Sequence, residues 1–258
     1  MVPSIIKINI SCFVLQILMN DALKYDFIQK GNKPNINGLL NKLIPNLLYF
    51  RKKRRTKMYE ILVNDYLRKD ADTIYECVNS TIDQVYFSDE ELDDLDEVIW
   101  LRPSKENYSV FDEINESEIK ITCQYLSEYI RGLLNEYSRL PQYSRERILF
   151  YNELSLFKEA CSTSRIYHAR VGNKSIRLFA FHNVYEFTYM QSNYLICYDL
   201  TNKIIGALPL YKVNNCFLVD KKYKPSELLI EKLQKYYEEN NFDNIIPFEE
   251  ETKWPLLI

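Results

Sequence analysis

Two runs rich in aromatic and β-branched residues, Asn193–Leu200 and Ile204–Val213, meet across a short polar turn, Thr201-Asn202-Lys203. That composition fits a half-buried pleated surface and that spacing fits a tight reversal, so the pair predicts a β-hairpin. The same composition reaches back over Val184–Tyr189 to a Gln191-Ser192 turn and extends the hairpin to a three-stranded meander. Further strands are predicted over Arg165–Val171, Ser175–Phe181 and Cys216–Val219, the first two joined by Gly172-Asn173. Pro209 cannot donate to a ladder, which puts its strand at an edge or a bulge. A helix over Arg145–Cys161 precedes these strands, with Ile148, Leu149, Leu154 and Phe157 as candidate core. A closing helix starts at Pro225-Ser226-Glu227 and runs to about Glu239, with Leu228, Leu229, Leu233 and Tyr236 facing inward.

Charge divides the chain differently. The net charge of 258 residues is −3, yet residues 1–57 hold eleven Lys/Arg against two Asp, a net of +9, so the rest carries −12. A basic head on an acidic body points to a polyanionic partner for the head. Only five glycines occur, in no phosphate-binding arrangement. The two histidines, His168 and His182, cannot build a multi-histidine metal site. Six cysteines without a CxxC pair read as buried reduced thiols of a cytoplasmic protein. No nucleophile has a base placed beside it, so neither an enzyme nor a cofactor is expected. The apolar start, Ile5–Met19, is interrupted by Lys7, Asn9 and Gln16, which argues against a signal peptide or a membrane span.

At the N-terminus, Ile6, Ile8 and Ile10 alternate with Lys7, Asn9 and Ser11, the pattern of a half-buried strand. Ser11 is placed to cap a helix over Cys12–Phe27, and Gly31-Asn32-Lys33-Pro34 breaks it. Asn35 can cap a second helix with the stripe Leu39, Leu40, Leu43, Ile44, Leu47 and Leu48, which Pro45 should bend. The basic run Arg51-Lys52-Lys53-Arg54-Arg55-Thr56-Lys57 follows. Two connecting helices are predicted over Met58–Phe87, then an acidic linker, Ser88–Glu97. Val98–Pro103 reads as another strand, followed by helices near Glu106–Asn115 and over Tyr125–Tyr137. The expected organisation is thus a head (1–57), a helical middle (58–144), a β-rich domain (145–225), and a C-terminal helix and tail (226–258).

The strand–helix–helix order of the head resembles the ribbon-helix-helix fold, in which two chains pair their strands into a DNA-reading ribbon. The resemblance implies a homodimer, with Lys7, Asn9 and Ser11 as base readers. It also implies phosphate contacts from Lys33, Asn35 and the run Arg51, Lys52, Lys53, Arg54 and Arg55. The same element order recurs over 98–140, so that stretch is either a second such unit paired within the chain or a helical connector. Lys7 and Asn9 could equally be a solvated strand face, and the first 50 residues a dimerisation arm.

The region 145–225 resembles the WYL domain, an Sm-like β-barrel of bacterial regulators. Asn193-Tyr194-Leu195 stands for its Trp-Tyr-Leu strand, and Leu208-x-Leu210-x-Lys212-Val213 for its second motif. The family implies a fold class of α+β and a pocket that senses nucleic acid or nucleotides. Tyr194 and Lys212 carry over from the motifs. His168, Arg170, Arg177 and His182 are candidates for phosphate, and Tyr185 or Tyr198 for stacking a base; core positions are the alternative for the aromatics. Asn193 and Pro209 stand where the family places Trp and Arg. The combination is similar to accessory proteins of type VI-D CRISPR systems. It implies a cytoplasmic bacterial regulator that binds single-stranded RNA and modulates an RNA-targeting CRISPR effector. The rivals are a ligand-responsive repressor on operator DNA and a structural partner whose basic head meets an acidic protein.

Overall fold

The computed structural model describes residues 3–66, 96–114, 125–185 and 192–239, excepting the side chains of Arg55, of residues 58–66 and of Tyr185. Most of the acidic linker, the second of the helices expected before Phe87, and the tail beyond 239 lie outside these residues. The chain divides into two compact units, Met1–Leu140 and Pro141–Ile258.

In the first unit, strand β1 (Ile6–Ile10) is buried at Ile6, Ile8 and Ile10 and exposed at Lys7 and Asn9, as its alternation predicts. Ser11 Oγ accepts from Val14 N at 3.3 Å and starts helix α1 (Cys12–Lys24), which ends three residues earlier than expected. A two-residue hairpin, β2 (Ile28–Gln29) with β3 (Lys33–Pro34), turns through Gly31 and Asn32, both at positive φ. Asn35 then caps helix α2 (Ile36–Tyr66), its Oδ1 accepting from Gly38 N at 2.9 Å. A Cβ on Gly38 would stand 2.7 Å from Asn35 Nδ2, so the cap and the glycine require each other. Helix α2 passes through both Pro45 and the basic run without a break, and Arg51 within that run is buried. Strand β4 (Glu97–Leu101) pairs antiparallel with β1, Ile6 opposite Leu101 and Ile8 opposite Ile99. The two strands thus form an antiparallel ribbon within one chain. After β4 come a 3-10 turn (Lys105–Asn107) and helices α3 (Tyr108–Glu113) and α4 (Leu126–Ser138). The ribbon's isoleucines, the stripe of α2 and Tyr129, Ile130, Leu133, Leu134 and Tyr137 of α4 form the core. Tyr137 Oη donates to Asp21 Oδ2 at 2.7 Å, both side chains being buried.

The second unit opens with two helices where one was expected, α5 (Gln142–Leu149) and α6 (Tyr151–Thr163). They break at Phe150, whose buried ring and non-helical backbone turn the chain. Five strands follow: β5 (Arg165–Val171), β6 (Lys174–Tyr185), β7 (Asn193–Asp199), β8 (Ile204–Pro209) and β9 (Val213–Lys222). They form an antiparallel sheet in the order β8-β7-β6-β5-β9. No hydrogen bonding joins β8 to β9 among the described residues, so the closed barrel expected from the sequence is an open sheet here. The strand expected at Ser175–Phe181 continues past a bulge between Ala180 and His182 to Tyr185, the first two residues of the strand expected at Val184–Tyr189; the rest of that strand lies outside the described residues. Pro209 ends the edge strand β8, and a 3-10 turn (Leu210–Lys212) leads into β9. Asp199 Oδ1 accepts from Thr201 N and Asn202 N, which builds the polar turn between β7 and β8. Helix α6 packs along β5, β6 and β9. Helix α7 (Glu227–Glu239) buries Leu233 against Phe179, Val184, Tyr194, Ile196 and Ala207. Leu228, expected inward, is exposed because it falls off that stripe.

Candidate nucleic-acid interfaces

The first unit places its expected contacts unequally. Lys7 and Asn9 stand on the ribbon's open face, opposite Trp100 and Val98 of β4. Ser11 and Asn35 spend their side-chain oxygens capping α1 and α2, which weighs against roles as base reader and phosphate clamp. Lys33 is exposed in the β2–β3 hairpin. The start of α2 is latched to the end of β4. Asn37 Oδ1 accepts from Arg102 N at 2.7 Å, and Asn41 Nδ2 donates to Arg102 O at 2.9 Å.

The basic run belongs to the fold more than its composition suggests. Arg51 is 3% exposed, its guanidinium 5.1 Å from the centre of the Tyr129 ring. A buried arginine over an aromatic face is a packing group. Lys52 pairs with Glu113, and Arg54 Nη1 donates to Glu136 Oε1 at 2.9 Å. The Lys52 pair is exposed on both sides and can exchange for phosphate at little cost, whereas Glu136 is largely buried and holds Arg54 more firmly. Lys53 is exposed; Arg55 shares the helix, and its side chain lies outside the description.

The second unit gathers several predicted residues on one sheet face. Register sets His168 opposite both Arg177 of β6 and Phe217 of β9, and Arg170 opposite both Ser175 and Asn214. Directly opposed residues share a face, so β6, β5 and β9 present Arg170, Arg177, His168 and Phe217 side by side. The His168 ring stacks on Phe217, centroids 4.2 Å apart, and its Nε2 lies 2.7 Å from Ser175 Oγ. Arg170 and Arg177 are exposed, and Phe217 is 51% exposed. The alternate residues Tyr167, Ala169, Ile176 and Leu178 are buried on the opposite face. Burial holds the Tyr167 phenol far above its ordinary range, so it stays neutral.

The other expected residues of this unit lie elsewhere. Tyr194 is 4% exposed in the apolar cluster beneath α7, where its ring is needed for packing, so it is a core residue. His182, though exposed, meets Tyr237 of α7 edge to face, centroids 5.0 Å apart. Lys212 falls in the 3-10 turn, its Nζ 5.0 Å from the Tyr211 ring centre, because Pro209 has already ended the strand. Tyr198 is half-buried beside Tyr223, and burial raises its phenol pKa. Tyr185 ends β6 opposite Asn193.

No known protein family matches the chain, and neither does any curated protein. A solved structure does: the crystal structure of a CRISPR Cas-related protein superposes with a TM-score of 0.68. The likeness covers 94% of this chain and 73% of that one, at 14% identity. It shows a shared fold.

Three residues of these faces were not singled out from the sequence. Phe217 was read as strand interior, Val98 and Trp100 as members of a short strand. Only the cross-strand register reveals that they join the basic residues, and register depends on partners distant in sequence. Among the described residues no cluster of His, Cys, Asp or Glu is arranged to hold a metal ion, and no helix is long and apolar enough to cross a membrane.

Proposed function

We propose that this chain is a non-catalytic, cytoplasmic nucleic-acid-binding regulator, an accessory that engages single-stranded RNA and modulates an RNA-targeting CRISPR effector. The observation that carries the reading is the open end of the second unit's sheet, where Arg170, Arg177, His168 and Phe217 share one face. Two guanidiniums supply phosphate contacts and the Phe217–His168 stack supplies an aromatic platform, the pairing that single-stranded nucleic acid requires. The fold shared with a CRISPR Cas-related protein supports the setting. A helical segment leading into five antiparallel strands supports the WYL resemblance. A ribbon whose two strands are each followed by two helices supports the ribbon-helix-helix resemblance.

The test is anisotropy of a labelled oligouridine titrated with wild type and with Arg170→Ala/Arg177→Ala across a range of salt. Wild type is expected to bind with a salt-dependent affinity. Loss of two phosphate contacts reduces the slope of log K against log salt by about 1.4, at roughly 0.7 per contact on a single strand. Absence of binding by wild type, or an unchanged slope in the double variant, refutes the reading. The operator-binding alternative is favoured by Lys7 and Asn9 on the ribbon's open face. It predicts preferential binding of duplex DNA that Lys7→Ala/Asn9→Ala abolishes.

A further inference from the structure

The ribbon's open face is not the symmetric surface that two identical strands would present. Strand β1 contributes Lys7 and Asn9, while β4 contributes Val98 and Trp100, and register pairs Lys7 with Trp100 and Asn9 with Val98. Trp100 is 58% exposed and Val98 41%. Lys7 Nζ lies 6.0 Å from the centre of the indole. Burial of Ile6, Ile8 and Ile10 on one strand and of Ile99 and Leu101 on the other fixes this arrangement, since a slip of one residue would bury Lys7 or Trp100.

We propose that this face is a stacking platform for an unpaired base of single-stranded nucleic acid, with Trp100 under the base and Lys7 beside its phosphate. The proposal rests on the nucleic-acid reading above and adds a second contact on the other unit. In a duplex groove, bases offer only their edges, read by hydrogen-bond donors and acceptors. An indole brings a single donor there and Val98 none, so the β4 half of the face matches base edges poorly. An unpaired base offers its whole face, which an exposed indole matches regardless of sequence. Charge complements the ligand: Lys7 sits at the ring, and residues 1–57 carry a net +9. Because the two strands carry different side chains, the face has no two-fold symmetry and would not select a palindromic site.

The chain holds two tryptophans, Trp100 and Trp254, so a Trp254→Phe background makes emission report on Trp100 alone. This protein is titrated with an oligouridine of about twelve nucleotides, a usual site size for such platforms, and with a fully paired RNA duplex of the same length. The oligouridine is expected to quench Trp100 and the duplex to leave it unchanged. In anisotropy, Trp100→Ala weakens single-strand binding about tenfold, Trp100→Phe recovers most of the loss, and Lys7→Ala weakens binding while quenching persists at saturation. The proposal is overturned if the duplex quenches as well as the oligouridine, or if Trp100→Ala binds as tightly as its parent. Emission that shifts with protein concentration before RNA is added also overturns it, and assigns the face to contact between copies. If the parent protein binds no RNA, the nucleic-acid reading falls with it. If the parent binds and only the Arg170/Arg177 variant loses affinity, the ribbon proposal falls alone.

Discussion

Replacing Asn193 by alanine should be among the most destabilising single changes in the second unit. Asn193 is fully buried at the start of β7 and is gripped by α5. Its Nδ2 donates to Tyr143 O at 2.8 Å and to Glu146 Oε2 at 2.9 Å, and its Oδ1 accepts from Arg147 Nε at 2.7 Å. Its backbone N–H also donates to Glu146 Oε2, at 2.6 Å. A neutral hydrogen bond contributes about 1 kcal/mol net and one to a charged group about 1.5–3 kcal/mol. Losing one neutral and two charge-assisted bonds, with Glu146 itself buried, gives an expected loss of about 4–7 kcal/mol. Glu146→Gln keeps an acceptor for both donors of Asn193 and should cost less than Asn193→Ala. Hydrogen exchange of peptides covering 142–149 and 193–199 reads the stability of this unit separately from the other. An Asn193→Ala protein within about 1 kcal/mol of wild type would refute the argument. So would strict additivity of Asn193→Ala and Glu146→Ala, since residues in one network should couple.

Tyr137→Phe removes the donor to Asp21 Oδ2 within the core of the first unit and should cost about 1.5–3 kcal/mol, measured by urea unfolding. A loss below about 0.5 kcal/mol would mean that Asp21 is satisfied without it. The thiols give a third expectation. Cys12 is exposed, whereas burial pushes Cys161 up to about 12 from 9.0 and raises Cys197 as well. Iodoacetamide near neutral pH should therefore modify Cys12 well before either, as mapped by peptide mass spectrometry. The same shift predicts alkaline weakening. Folded Cys161 holds its proton more tightly than the unfolded chain does, so its contribution is complete below pH 9.0 and is lost as pH rises toward about 12. The slope is about 1.4 kcal/mol per pH unit for this group. A urea midpoint independent of pH across that interval contradicts it.

Local pattern made part of this structure legible. The alternation of Ile6, Ile8 and Ile10, the caps at Ser11 and Asn35, the turn at Gly172-Asn173 and the edge position of Pro209 all follow from interactions within a few residues. What depended on distant partners was not legible. Arg51 reads as a polyanion contact by its neighbours in sequence, yet Tyr129 turns it into a packing group. Helix α2, expected to carry Pro45 inside it, runs as one element from Ile36 through the basic run to Tyr66. Tyr194 was read as a ligand contact by resemblance, but helix α7 covers it. For the candidate site, the basic residues His168, Arg170 and Arg177 were visible as types, whereas their convergence with Phe217 required the β5–β9 register and its bulges.

Burial along the strands argues for where a ligand can meet the second unit. Strand β7 carries the segment that resembles the family's namesake motif, and every residue of it except Tyr198 is buried. Asn193 is locked to α5, Tyr194 and Ile196 lie under α7, and Cys197 is held neutral by burial. No large change in ligand chemistry at β7 is compatible with that packing, because each side chain there already has a structural task. Lys212, at the end of the second motif, has left the strand altogether. Strands β5, β6 and β9 differ: on one face Arg170, Arg177 and Phe217 are exposed and His168 is half-buried beside them. Packing at β7 thus leaves less exposed side-chain surface there than on β5, β6 and β9. Charge reversal at Arg170 or Arg177 should therefore change binding without changing stability, whereas substitution along β7 should do the opposite.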